Sequence, residues 1–263
     1  MGSLATWSTR ALLVLLYLFL LAPILLVFPM SFSDDAFLGF PPQSWSFRWY
    51  WTLLANQSFI DAFWVSVAVG ALVTLVCLTS GVPAAYAIAR YRFWGREALY
   101  AFFTAPLLLP SIVLGLAILL VFFRLALTAT YAGLVLAHVV VTLPIVVRII
   151  VTSIGGLPDD LEDAAATLGA PPWRVFARVT LPLILPGMLA SSALAFLLSF
   201  DEVVISLFVV GPRLTTLPIA VFRYVQFRTD PQIAALAVVI ILGSMLIAIL
   251  VERSFGLMRA FGR

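Results

Sequence analysis

The sequence predicts an all-α membrane protein with six transmembrane helices, and three observations carry that prediction. Of its 263 residues, 63% are hydrophobic and only 10% charged, with a mean hydropathy of +1.15. A water-soluble domain of this size cannot hide so much apolar surface, so the solvent for most of the chain is lipid. The apolar residues fall into six uncharged runs, 11–33, 62–89, 98–123, 125–147, 179–200 and 231–251. Each exceeds the roughly 20 residues that a helix needs to cross about 30 Å of hydrocarbon. Short alternating segments of about 10 residues, the mark of a transmembrane β-barrel, are not seen.

The first run, 11–33, is longer than the apolar stretch of a signal peptide and no A-x-A site follows it, so it is read as a helix. The segment 34–60 comes next and contains WSFRWYWTLL. Its Trp and Tyr residues suit an interfacial aromatic belt or a docking surface for an extracytoplasmic partner. The second run carries Cys77, the single cysteine, so no internal disulfide exists. Prolines punctuate several runs: Pro23, Pro83, Pro106, Pro110, Pro144 and Pro186. Membrane helices tolerate them, and hinges are a second reading. The fourth run holds the only histidine, His138, read as a hydrogen-bonded packing residue, and stops at Arg148, read as snorkelling to the interface. A segment of residues 211–232, with a short helix at 217–225, precedes the sixth run.

Orientation follows from the arginines, which are all fifteen of the basic residues. An even number of spans puts both termini on one side. That side holds ten (Arg10, Arg90, Arg92, Arg96, Arg148, Arg174, Arg178, Arg253, Arg259 and Arg263), against five on the other, Arg48, Arg124, Arg213, Arg223 and Arg228. The side richer in arginine is cytoplasmic, so both termini are expected there, as is the loop between the fourth and fifth runs.

That loop reads EDAAATLGAPPWRVFARVTLPLILPG from residue 162 to 187. Asp159, Asp160, Glu162 and Asp163 open a helix-compatible stretch, 161–168, where acids complement the exposed N–H groups of a helix start. Ala164, Ala165 and Ala166 favour helix and leave a smooth face. Gly169 ends it, at a position that often needs a positive φ. Pro171 and Pro172 suit the opening of a second short helix, 173–179. Leu168, Trp173 and Phe176 give this helix–turn–helix an apolar tip. The tip fits either the lipid headgroups or a protein groove.

The order of residues bears on that choice. Asp163-Ala164-Ala165, three residues, Gly169, nine residues from Ala170 to Arg178, then Val179-Thr180-Leu181-Pro182 match a known pattern. It resembles the E-A-A, three residues, G, nine residues, I-x-L-P loop of bacterial ABC importer permeases, with Asp for Glu and Val for Ile. The resemblance covers nearly the whole chain and implies a type I ABC importer permease fold in the bacterial cytoplasmic membrane. It implies one transmembrane permease domain over residues 1–263, with a coupling loop at about 158–182 that docks into the ATPase subunit. Asp163, Ala164, Ala165, Gly169, Ala170, Trp173, Phe176 and Pro182 are the loop residues it points to. The implied partners are a second permease, two ATPase subunits that bind ATP and Mg, and an extracytoplasmic substrate-binding protein. The chain itself is expected to hold no cofactor or metal and to catalyse nothing; it has no Lys for a Walker A loop.

The segment SFDEVVISLFVVGPRLTTLP, residues 199–218, and the start of the sixth run, DPQIAALAVVIIL, look like the spermidine/putrescine permease subfamily. That likeness implies a small cationic substrate such as a polyamine, with opines, amino acids and aminophosphonate-like compounds as alternatives. Asp201 and Glu202 are acids beside an apolar helix, a costly arrangement unless they face water, a partner or a ligand. They read either as an anionic stretch of a cation pathway, with Phe200, Phe222 and Tyr224 offering aromatic faces, or as interfacial acids bonded to backbone or to an Arg. A membrane enzyme is disfavoured by the single His and the lack of metal-ligand spacing. A self-sufficient ion-coupled carrier predicts inverted repeats, and none is clear. The charge of +3 reports topology rather than a nucleic-acid partner.

Overall fold

A computed structural model of the chain describes residues 2–158 and 160–255. Asp159, Arg259 and Arg263 lie outside them, as does the side chain of Arg253. The described residues form helices α1 (Gly2–Ser31), α2 (Arg48–Ala55), α3 (Gln57–Arg90), α4 (Arg96–Thr104), α5 (Ser111–Arg124), α6 (Tyr131–Gly155), α7 (Asp160–Thr167), α8 (Pro172–Val175), α9 (Leu181–Phe200), α10 (Val204–Val209), α11 (Leu217–Phe227) and α12 (Gln232–Phe255). Among them no strand occurs, only one isolated bridge between Ser33 and Trp45. Four helical stretches are long and apolar enough to cross a membrane, and five are if a bent pair counts as one span.

That bent pair corrects the expected third helix. The run 98–123 is not one rod: α4 passes into a 3-10 turn at Ala105–Leu108, the chain breaks, and α5 leaves at 108° to the first segment. Pro110 is the cause. It forces Leu109 into extended backbone (φ −94°, ψ 138°), and it has no N–H with which to continue the ladder. The fourth run is corrected too. Residues 125–130 are a turn, with positive φ at Ala126 and Ala129. Helix α6 begins only at Tyr131, after Thr130 Oγ1 caps the Gly133 N–H at 3.0 Å. It continues past Arg148, which stands exposed within it.

Close contacts divide the chain into two units, one of residues up to 60 with 221–254, the other of Asp61–Ala220. In the first unit, the aromatic segment after α1 is folded rather than trailing. Phe32, Phe47 and Tyr50 pack ring on ring, and the Tyr50 hydroxyl meets Ser31 Oγ at 2.7 Å. Trp49 is buried, while Trp45 and Trp51 are exposed, as suits rings at a membrane–water boundary. The Leu38 N–H donates to the Thr229 carbonyl.

In the second unit the core forms where α3, α6 and α9 meet. Val69, Val73, Cys77, Val82, Ala85 and Ile88 line one face of α3 at helical spacing, against Val146, Val147, Ile150 and Ile154 of α6 and Ile184 and Ala195 of α9. Helix α6 approaches α9 so closely that a Cβ on Gly187 would land on Ser153. A second cluster joins Leu114, Ile118 and Phe122 of α5 to Ile205 and Val209 of α10. His138 lies fully buried between α9 and α10, its ring nitrogens 2.9 Å from Ser199 Oγ and 2.8 Å from Ser206 Oγ. It satisfies its polar atoms inside an apolar core.

Candidate functional site

Three places hold the residues singled out from the sequence. The first is the hairpin of residues 160–182. The acids Asp160, Glu162 and Asp163 occupy the first turn of α7, where they meet the positive end of the helix. At its other end, the Gly169 N–H bonds the Ala166 carbonyl and the Ala170 N–H bonds the Ala165 carbonyl, with Gly169 at φ +83°. This pair of bonds around a left-handed residue is a Schellman cap. It gives the D-A-A-x-x-x-G spacing a physical meaning: two turns of helix, then one residue that L side chains disfavour. No atom lies within 4 Å of a Cβ built on Gly169, so conformation, not crowding, calls for glycine there.

The expected second short helix is corrected. Chain 172–200 runs on without a break: α8 passes through a π turn, Phe176–Thr180, directly into α9. Pro182 contributes to this, since it cannot donate to the carbonyl four residues back, and the Leu181 N–H reaches instead to Phe176, five back. The apolar tip is likewise smaller than expected. Leu168 is 88% and Trp173 66% exposed, and Arg174 lies over the Trp173 ring at 5.1 Å. Phe176, however, turns inward, its ring 4.9 Å from that of Tyr86 and against the main core. Asp163, Ala164, Gly169 and Pro182 are exposed, and Ala165 and Ala170 are half-buried.

The sequence reading missed what fastens the hairpin. Glu162 Oε1 accepts from Thr180 Oγ1 at 2.5 Å and from Arg90 Nε at 3.2 Å, and its Oε2 accepts from the Tyr86 hydroxyl at 3.3 Å. Arg90 also donates to the Leu157 carbonyl at 3.5 Å. Glu162 directly precedes Asp163-Ala164-Ala165, one position before the matched motif begins, and Thr180 stands inside it, between Val179 and Leu181-Pro182. Arg90 is 72 positions away from Glu162, and no local pattern links them.

The second place is the end of α9. Phe200 is half-buried, stacked on Phe196 at 5.9 Å and met edge-on by Phe63 at 6.1 Å. Asp201 caps the helix, its N–H bonded to the Leu197 carbonyl at 3.0 Å, and is exposed. Among the described residues its carboxylate has no hydrogen bond or ion pair. Glu202 is engaged differently: Oε1 accepts from the Ile205 N–H at 2.9 Å and caps α10. The two adjacent acids therefore have different surroundings. An unpaired carboxylate at a helix C-terminus faces the negative end of the helix, so a cation there is doubly favoured.

Phe222 and Tyr224 belong to the other unit. Phe222 is exposed. The Tyr224 ring packs on Phe59 at 5.2 Å, with Arg228 over it at 5.5 Å. Its hydroxyl lies 2.7 Å from Asp230 Oδ2 and 2.8 Å from the Gln232 side-chain amide. A phenol has one proton to give, and the charged carboxylate takes it. Burial first, then the bond to Asp230, push its ionisation up to about 12, so it remains a neutral phenol.

Residues 81–259 match the family described as binding-protein-dependent transport system inner membrane component. The chain is 36% identical over 236 residues to the putrescine transport system permease protein PotI of Escherichia coli K12, covering 87% of this chain and 84% of that one. It is 30% identical over 241 residues to the spermidine/putrescine transport system permease protein PotC of Haemophilus influenzae, covering 92% and 93%. A solved structure of a bacterial ABC transporter that imports the acidic polysaccharide alginate superposes with a TM-score of 0.74 over 98% of this chain and 96% of that one, at 15% identity. At that identity the likeness concerns the fold alone.

Proposed function

Because the chain belongs to the family of binding-protein-dependent transport system inner membrane components, we propose that it forms the path for a small cationic substrate, a polyamine, across the membrane. The chain is a multi-pass inner-membrane protein and the permease component of an ABC importer. We read residues 1–263 as one transmembrane domain of six spans with both termini cytoplasmic. The ten-to-five distribution of arginines supports that orientation. The hairpin at about 158–182 is then a cytoplasmic element that docks into an ATPase subunit. The exposure of Leu168 and Trp173 around a rigid Schellman turn supports docking. Two ATPase subunits would bind ATP and Mg and hydrolyse the nucleotide, a second permease would complete the path, and an extracytoplasmic binding protein would deliver substrate.

The observation that carries the substrate reading is Asp201. It is an exposed acid, unpaired among the described residues, at the C-terminal end of a membrane-length helix and next in the chain to an aromatic residue, Phe200. A polyamine ammonium leaving water needs such a charge, and a ring face adds to it. Two relatives named for putrescine support the same class. The fold does not decide it, since a neighbour of the same fold imports an acidic polymer.

The test is Asp201→Asn in the assembled importer. Uptake of labelled putrescine falls by about tenfold, the effect of one lost charge contact, while the melting temperature of the complex stays within a degree or two. Wild-type uptake, or a large loss of thermal stability, refutes the pathway role.

A further inference from the structure

An exposed tip accounts for docking, not for how a docked hairpin moves the helices behind it. That depends on what fastens the hairpin to the rest of its unit. Helix α7 turns Asp160, Asp163 and Thr167 outward, and the Thr167 hydroxyl only bonds back to the Asp163 carbonyl. Glu162 alone on this helix turns its charge inward among the described residues. One carboxylate there gathers three donors from two other segments: Tyr86 and Arg90 at the end of α3, and Thr180 at the end of the π turn. Through Arg90 it also reaches Leu157, where the chain enters the hairpin. The Arg90 and Glu162 side chains are only 11% and 17% exposed, so water screens this pair far less than a surface pair.

The π turn gives the arrangement two settings. Such a turn is an α-helix holding one extra residue, and it persists only where something favours it over regular helix. Released, it would shift the register by one residue, about 1.5 Å of rise and 100° of rotation. Thr180 would swing away from Glu162. The bond between them therefore opposes that slip. The joint has room beside it: an open cavity of about 520 Å3 is bordered by Arg92, Arg96 and Asp163 together with Glu162.

We infer that Glu162 is a positioning residue for transport, latching the docking hairpin to the end of α3 and to the π turn that begins α9. The inference rests on the docking reading of the hairpin. With the latch closed, a push on the tip reaches α3 and α9 together. With it open, the hairpin and the π turn absorb the push locally.

The experiment uses the chain assembled with its second permease, ATPase subunits and binding protein, reconstituted in vesicles. Putrescine uptake and phosphate release are measured together, and the readout is putrescine transported per ATP hydrolysed. Glu162→Ala lowers that ratio by about tenfold, as expected for a lost charge-assisted contact, with the ATPase subunits retained. Thr180→Val, nearly isosteric, lowers it severalfold. Arg90→Lys keeps the charge beside Glu162 and retains most of the ratio, whereas Arg90→Gln does not. A role in folding alone would lower the melting temperature and leave the ratio of the surviving complex unchanged. An unchanged ratio in both Glu162→Ala and Thr180→Val overturns the inference, as does loss of the ATPase subunits from both. Gly169→Glu separates the latch from the docking reading. If that variant keeps its ATPase subunits and wild-type uptake, docking itself is wrong; if it loses them while the Glu162 and Thr180 variants keep the ratio, only the latch is wrong.

Discussion

Truncating the hairpin tip weakens attachment of the ATPase subunit without weakening the chain itself. Leu168 is 88% and Trp173 66% exposed, so neither side chain contributes much to the fold of its own unit. Substitutions at such surface positions change stability by about 0.5 kcal/mol or less. The one local loss is the contact of Arg174 with the Trp173 ring, about 0.5–1 kcal/mol for an exposed pair. In a protein groove the balance reverses. Burying a leucine side chain is worth roughly 1.5–3 kcal/mol, so Leu168→Ala weakens binding by roughly 10- to 150-fold. Trp173→Ala costs about 2 kcal/mol or more if the indole is an anchor of the interface. The two effects need not add, because the residues flank one turn. The assay is titration of the ATPase subunit onto the permease pair in lipid nanodiscs, alongside thermal unfolding of the permeases. If both variants bind the ATPase within about twofold of wild type, the tip rests on lipid headgroups and the docking argument fails.

Three further outcomes follow from the geometry. Gly187→Ala places a methyl group on Ser153 at the α6–α9 contact; it lowers stability in detergent by about 1–3 kcal/mol, and Ser153→Gly restores it. Glu202→Ala removes the cap on the Ile205 N–H and costs about 0.5–2 kcal/mol, seen as a lower melting temperature, whereas Asp201→Asn lacks that penalty. In a Cys77→Ser background, an impermeant thiol reagent added outside intact cells labels Trp45→Cys but not Trp173→Cys; the reverse pattern overturns the proposed topology.

The hairpin turn was legible because its chemistry is local. A helix of small residues that ends in a left-handed glycine writes its spacing into the sequence, and Gly169 adopts φ +83° for that reason. The membrane helices were legible as hydropathy but not as boundaries. Inside lipid both faces of a helix are apolar, so residues 125–130 look like more helix when they are a turn. For the same reason Pro106 and Pro110 read as tolerated prolines in a span, although Pro110 breaks the chain through 108°. Glu162 read as one of several acids at a helix start. Its partners Arg90 and Thr180 come from other segments, and only folding brings them to one carboxylate. Which of the neighbouring acids Asp201 and Glu202 would bond to backbone was also hidden, since it depends on which carboxylate finds the Ile205 N–H.

The most direct measurement of the central claim is uptake by the reconstituted importer. Vesicles holding this chain, its second permease and the ATPase subunits are given labelled putrescine with the binding protein outside and ATP inside. The account predicts accumulation against a gradient that requires ATP, the binding protein and the intact hairpin, and that other polyamines compete away. Putrescine uptake by this chain alone, driven by an ion gradient and indifferent to ATP, would contradict it. So would an ATP-driven importer that ignores every polyamine and carries an anion instead.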